Sequence, residues 1–161
     1  MKNKIIISTL AIFIMACCLA AVYAEEAHLG SFNFNVPDGL KITDSSSSNV
    51  FLEGNGKEII VTTEYTDLGS ITKYLKDKGF QYGASFSGES STVSANGSSK
   101  GSYSYDTYSF SKGSESANGY VLNKNGVNFA VIVIDHSGSS STPGFVMDVD
   151  VSRIINDIMF D

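Results

Sequence analysis

Residues 31–36, Ser-Phe-Asn-Phe-Asn-Val, alternate strictly between apolar and polar. A pleated strand points successive side chains to opposite faces, so Phe32, Phe34 and Val36 are predicted on one side and Ser31, Asn33 and Asn35 on the other. Pro37-Asp38-Gly39 follows with a fixed φ and then a permissive backbone, which predicts a change of direction. Residues 49–53 and 57–65 flank Gly54-Asn55-Gly56, the pattern of an antiparallel hairpin with Ile59, Val61 and Tyr65 on its inner face. From Asp67 the period lengthens. Leu68, Ile71 and Leu75 recur at helical spacing, Lys73, Lys76 and Lys78 lie elsewhere, and Gly79 follows as a stop, predicting one amphipathic helix capped by Asp67.

Residues 80–95 and 100–112 are rich in serine and aromatics and meet at Asn96-Gly97, which predicts a long hairpin. Residues 119–123 and 127–134 are joined through Lys124-Asn125-Gly126, a second hairpin whose later strand, Val-Asn-Phe-Ala-Val-Ile-Val-Ile, becomes apolar on both faces. Such a strand leaves no face for water, so it is expected at the centre of a sheet covered on both sides. One cover is a terminal helix in which Asp150 caps a stripe of Val151, Ile154, Ile155 and Ile158. The fold class expected is α+β, a largely antiparallel sheet flanked by at least two helices. Ser45–Ser48 and the serines of 137–141 are read as loops, and neither tract is long enough to separate domains.

The first 24 residues follow another logic. Lys2 and Lys4 precede an apolar run that ends in Val22-Tyr23-Ala24, with Glu25-Glu26 beyond. This is the layout of a secretory signal peptide cleaved between Ala24 and Glu25. The uninterrupted apolar stretch, about 15 residues, is shorter than the roughly 20 that a spanning helix requires. The expected chain is therefore secreted or held at the extracytoplasmic surface, with no membrane span after cleavage, a short segment at 25–30 and a single domain over 31–161. Ile14-Met15-Ala16-Cys17 is a loose lipobox and offers Cys17 as an alternative lipid anchor. Both cysteines, Cys17 and Cys18, lie in this segment, so the processed chain is expected to have no thiol chemistry.

The order of elements, with Phe34-Asn35-Val36-Pro37-Asp38-Gly39 near its start and Asp157-Ile158-Met159-Phe160 at its end, resembles the PsbP-like superfamily, which includes an extrinsic photosystem II subunit and a Ran-binding nuclear import protein. The resemblance covers most of residues 31–161 in layout. It implies an antiparallel sheet between helices in an α/β/α sandwich, and members that mostly act as binding or assembly accessories. It carries no catalytic residue across, and the prokaryotic-type signal peptide departs from the photosynthetic members.

Composition sharpens this picture in two places. The 161 residues carry 17 Asp and Glu against 11 Lys and Arg. Without the first 24 residues the balance is 17 acidic against 9 basic, or −8. A phosphate-backbone footprint needs clustered Lys and Arg, so nucleic acid is not an expected partner. Residues 25–161 contain 24 Ser, five Ala and 16 Phe and Tyr, a balance that favours strands joined by polar turns over a helical bundle.

The chemistry available is sparse. His28 and His136 are the only histidines, the serines are read as strand and turn residues with no nucleophile elbow, and no glycine-rich phosphate cradle occurs. No catalytic residue, cofactor or metal site is assigned. Asp148 and Asp150 are read as negative charge at a helix N-terminus, where free N–H groups favour it. The most distinctive surface candidate is the aromatic run Tyr103, Tyr105, Tyr108 and Phe110, whose flat amphipathic rings suit a sugar or a protein partner, although a half-buried strand with two covered faces has the same pattern. Asn96-Gly97-Ser98 is an acceptor pattern for N-glycosylation. The function expected is a non-catalytic accessory or binding module meeting a protein or glycan at the cell envelope. The alternative is a small extracellular hydrolase built on carboxylates or on Asp135 and His136.

Overall fold

A computed structural model describes residues 25–93, 99–138 and 146–160. Along these the chain forms β1 Glu26–Leu29, β2 Phe32–Asn35, β3 Lys41–Ser45, β4 Asn49–Gly54, β5 Lys57–Thr62, α1 Leu68–Asp77, β6 Gln81–Val93, β7 Ser99–Lys112, β8 Glu115–Lys124, β9 Val127–Asp135 and α2 Val149–Phe160. β1 and β2 form a two-stranded sheet, and the other seven strands form an antiparallel sheet in the order β3-β4-β5-β9-β8-β7-β6. Among the described residues the fold is thus mostly antiparallel sheet with two helices. The segment at 25–30 contributes β1 to it, and β3 runs into the serine tract as far as Ser45.

β9 occupies the middle of the large sheet, and its residues 129–134 are all buried. Alternation divides them between two cores. Phe129, Val131 and Val133 join Val151, Ile154, Ile155 and Ile158 of α2 together with Phe32, Phe34 and Val36. Ala130, Ile132 and Ile134 join Ile71 and Leu75 of α1 on the other face. A continuous apolar strand is stable here because each face has its own helix. Gly119 in β8 lets α1 approach closely: a Cβ there would lie 3.1 Å from Ile71 Cδ1.

The two tight hairpins follow from their turn residues. Asn55 and Gly56 have φ of 53° and 74°, and Asn125 and Gly126 have 54° and 84°. Two successive positive φ values match the right-handed twist of the flanking strands, and Asn-Gly reaches them most easily. Asp67 caps α1 by accepting from Ser70 N at 2.9 Å while Ser70 Oγ lies 3.3 Å from Asp67 N.

Three expectations require correction. Tyr65 does not share a face with Ile59 and Val61, because β5 ends at Thr62 and the ring instead stacks on Tyr74 at 4.8 Å on the α1 side. Leu68 is 37% exposed, since the first turn of α1 overhangs the core. The cap of α2 is Asp148 rather than Asp150. Asp148 Oδ1 accepts from Asp150 N at 2.9 Å and Val151 N at 3.3 Å, and Asp150 is drawn inside the first turn as a partner for Lys57.

The terminal helix is tied to both sheets. Asp157 Oδ2 accepts from Asn35 N at 2.9 Å and Asn35 Nδ2 at 3.1 Å, and Lys124 Nζ donates to the Ile158 carbonyl. Among the described residues no helix is long and apolar enough to cross a membrane.

Candidate ligand groove

The β7–β8 ladder runs from Lys112↔Glu115 to Asp106↔Val121 and stops there, while the β6–β7 ladder continues to Val93↔Ser99. Beyond Asp106, β6 and β7 therefore leave the sheet as a two-stranded ribbon, opening a fork against the end of β8. A groove of about 630 Å³ occupies this fork, lined by residues of β6, β7, β8 and β9 and by Thr66 and Asp67 ahead of α1. A smaller hollow of about 210 Å³ shares Ser87, Asp106 and Tyr108 with it.

Register explains which side chains meet in the groove. Ser87 and Asp106 are cross-strand partners, and Ser87 Oγ donates to Asp106 Oδ1 at 2.6 Å. Asn123 and Asn128 are partners across the Asn125-Gly126 turn. Asn123 Nδ2 donates to Asn128 Oδ1 at 2.6 Å, and Asn123 Oδ1 accepts from Gly126 N at 3.0 Å. Tyr108 also lines the groove, with its ring half-buried. Burial pushes its phenol above the ordinary value, and the nearby carboxylates of Asp106 and Asp67 add to that. The Ser70 backbone N–H holds the Asp67 carboxyl below its ordinary range. Asp67, Glu89 and Asp106 line the groove, and no Lys, Arg or His does so among the described residues. The groove combines these three carboxylates and several neutral polar side chains with Val121, Leu122, Tyr105 and Tyr108, so it can hold a ligand by both polar and apolar contacts.

The aromatic run does not form one surface. Tyr103 is 5% exposed and belongs to the α2 core, its ring centroid 5.9 Å from Phe160 and 6.3 Å from Tyr105. Tyr105 touches the fork, but its ring packs 5.9 Å from Tyr120 on that same core face. Tyr108 and Phe110 lie on the α1 face. A three-residue step from 105 to 108 crosses the pleat, so Tyr105, whose ring lies over Gly88, and Tyr108 meet the groove from opposite faces of β7, while Tyr103 is not among its lining residues.

Asp135 and His136 do not pair with each other. Asp135 Oδ1 accepts from Ser137 N at 2.8 Å and Ser137 Oγ at 2.6 Å. Partial burial pushes the Asp135 carboxyl upward, but these bonds prevail and hold it below the ordinary value. His136 Nδ1 instead lies 2.5 Å from Glu115 Oε1, at an exposed site. A Gly-x-Ser-x-Gly pattern does occur at residues 97–101, with Ser99 opening β7 within a hairpin rather than at a strand-to-helix elbow. Asn96, Cys17 and Ala24 lie outside the described residues. No group of three or more His, Cys, Asp or Glu is placed to hold a metal among the described residues.

Asp148 and Asp150 face Lys57, whose Nζ lies 2.7 Å and 3.0 Å from them. Burial works to depress the Lys57 ammonium, and the two carboxylates outweigh it, leaving it above the ordinary lysine value. This cluster joins β5 to the start of α2 and is structural.

Sequence reasoning missed Ser87, Glu89, Asp106, Asn123 and Asn128. The asparagine pair had a usable signal, because an Asn-Gly hairpin turn places 123 opposite 128. Ser87 and Asp106 had the same kind of signal, because a two-residue turn at Asn96-Gly97 places 87 opposite 106, although an irregularity between Thr92 and Val93 lies between that turn and the pair. No known family model matches the chain, and no curated protein is significantly similar to it.

Proposed function

We propose that the chain is an exported accessory module that binds an extended ligand in the groove at the β7–β8 fork. The observation that carries this reading is the fork itself, where the ladder ends at Asp106↔Val121 and an open concavity lies beside Tyr108 and two hydrogen-bonded polar pairs. Interrupting a ladder sacrifices backbone hydrogen bonds, so a fork retained beside a polar concavity is better explained by use than by packing. The signal-peptide pattern at 1–24 supports a secreted or surface-held location, with cleavage before Glu25.

The layout also supports a place in the PsbP-like superfamily, as an α/β/α sandwich. The two segments that carry that resemblance meet in space, through the hydrogen bonds from Asn35 to Asp157. Fold likeness leaves the ligand to be argued from the site.

The test uses the full chain in intact cells, with a photo-crosslinking side chain at position 104 in the groove or at position 41 on the opposite sheet edge. A discrete adduct from 104, absent from 41 and lost on Tyr108→Ser, together with a processed N-terminus at Glu25, is expected. Equal labelling from both positions would remove the groove from the reading. An unprocessed cytoplasmic chain would remove export.

A further inference from the structure

Building on the groove reading, we infer that its ligand is a glycan rich in hydrogen-bond donors, neutral or amine-bearing, and that the groove rejects sugars carrying carboxylate, sulfate or phosphate.

Three observations converge on this. The first is the balance of donors and acceptors. Asp106 uses Oδ1 for Ser87 and Asp67 uses Oδ1 for the Ser70 backbone, so each directs a second carboxylate oxygen elsewhere, and Glu89 adds a third acceptor group. Ionised carboxylates accept only, and their hydrogen bonds to hydroxyl or ammonium donors are stronger than neutral ones. A ligand that engages these carboxylates presents donors, as sugar hydroxyls and amines do.

The second observation is the ring. Tyr108 is half-buried, so its position is held by the α1-side core, while it fronts both the large groove and the smaller hollow. A rigid amphipathic ring offers an apolar face to the C–H side of a sugar and a hydroxyl at its rim, at little entropic cost. The third is shape. The concavity is open and mixes polar side chains with Val121, Leu122 and two tyrosines, unlike the enclosed apolar pocket that a lipid or aromatic metabolite requires. An extended chain of sugars fits an open groove, with several weak contacts sharing the binding.

The charge of the lining then discriminates among glycans. With Asp67, Glu89 and Asp106 present and no cation lining the groove among the described residues, an anionic sugar meets like charge and finds no counter-ion. An amine-bearing sugar gains what the anionic one loses.

Titration calorimetry on the processed full-length protein tests this with three oligosaccharides of one length: a neutral β-glucan, a chitosan oligomer and a carboxylated β-glucan. The chitosan oligomer is expected to bind at least about tenfold tighter than the carboxylated one, with the neutral glucan between them, and the gap should narrow as salt is raised. Glu89→Gln with Asp106→Asn should reduce the gap to about threefold or less, with the melting midpoint unchanged because both residues front solvent. Equal or tighter binding of the carboxylated oligomer, or a gap that survives both substitutions, would overturn the charge assignment. Binding of none of the three would overturn the glycan assignment, and a persisting Tyr108-dependent photo-crosslink at 104 would show that the groove still has another ligand.

Discussion

Lys57 and Tyr120 show how much of this fold rests on single polar side chains inside an otherwise apolar frame. Asp148 performs two tasks at once, Oδ1 capping α2 and Oδ2 accepting from Lys57. Lys57→Met would leave two carboxylates crowded at one helix end without their cation, and a loss of about 3 kcal/mol is expected in denaturant unfolding at neutral pH. Tyr120 is 2% exposed, and burial, with Tyr105 and Asp148 adding, pushes its phenol up to about 12. A group whose pKa is raised on folding holds more protons in the folded than in the unfolded state, so its contribution is complete below the unfolded value and is lost as pH rises through the folded one. For both residues the unfolded value is about 10, so their contributions should fade together above that pH. The denaturation midpoint is therefore expected to fall between about pH 10 and 12, with Tyr120 alone accounting for about 2–3 kcal/mol. Tyr120→Phe should cost about 1 kcal/mol at neutral pH and make the alkaline decline shallower. An unchanged slope would mean that other tyrosines carry the transition.

At the scale of elements, two glycines of similar appearance in the sequence have different physical reasons to be there. Gly126 has φ of 84° and open space where a Cβ would stand, so Gly126→Ala is expected to cost only the left-handed conformation, about 1–2 kcal/mol. Gly54 lies against the turn after β2, and a Cβ there would come 2.0 Å from the Gly39 carbonyl oxygen. Gly54→Ala must displace one backbone segment from another, at a cost expected to exceed about 3 kcal/mol, and parallel melting curves of the two variants would separate these cases. The same contrast marks what was legible in the sequence. Local chemistry announced α1, both Asn-Gly hairpins and the central β9, because period and turn residues act within a few positions. The partition of Tyr103 and Tyr105 from Tyr108 followed from the pleat once both faces were known to be covered. The cap of α2 moved to Asp148 because a lysine about 90 residues away in sequence engages Asp150, and the fork depends on where a ladder stops. Neither is written in any local window.

For the whole molecule, the consequence is an uneven distribution of stability. β9 is paired on both edges and packed by a helix on both faces, so its amides should open only with global unfolding. The ribbon beyond Asp106 pairs only within itself over β6 and β7, and its α1-facing residues, Ser87, Glu89 and Ser104, line the groove instead of a core. Its α2-facing side is anchored by Tyr103 and Phe160, so it should open as a unit rather than fray. Hydrogen exchange is therefore expected to run at least about 100-fold faster at residues 87–92 and 101–105 than in β9. A ligand that bridges the fork must touch both the ribbon and the ends of β8 and β9, and it stabilises only the state in which they are held together. Binding should thus slow exchange in the ribbon, and in β9, which opens only with the molecule as a whole, by no more than the same factor of 1 + [L]/Kd. Protection of α1 or β9 with the ribbon left unchanged would place the ligand elsewhere than the fork.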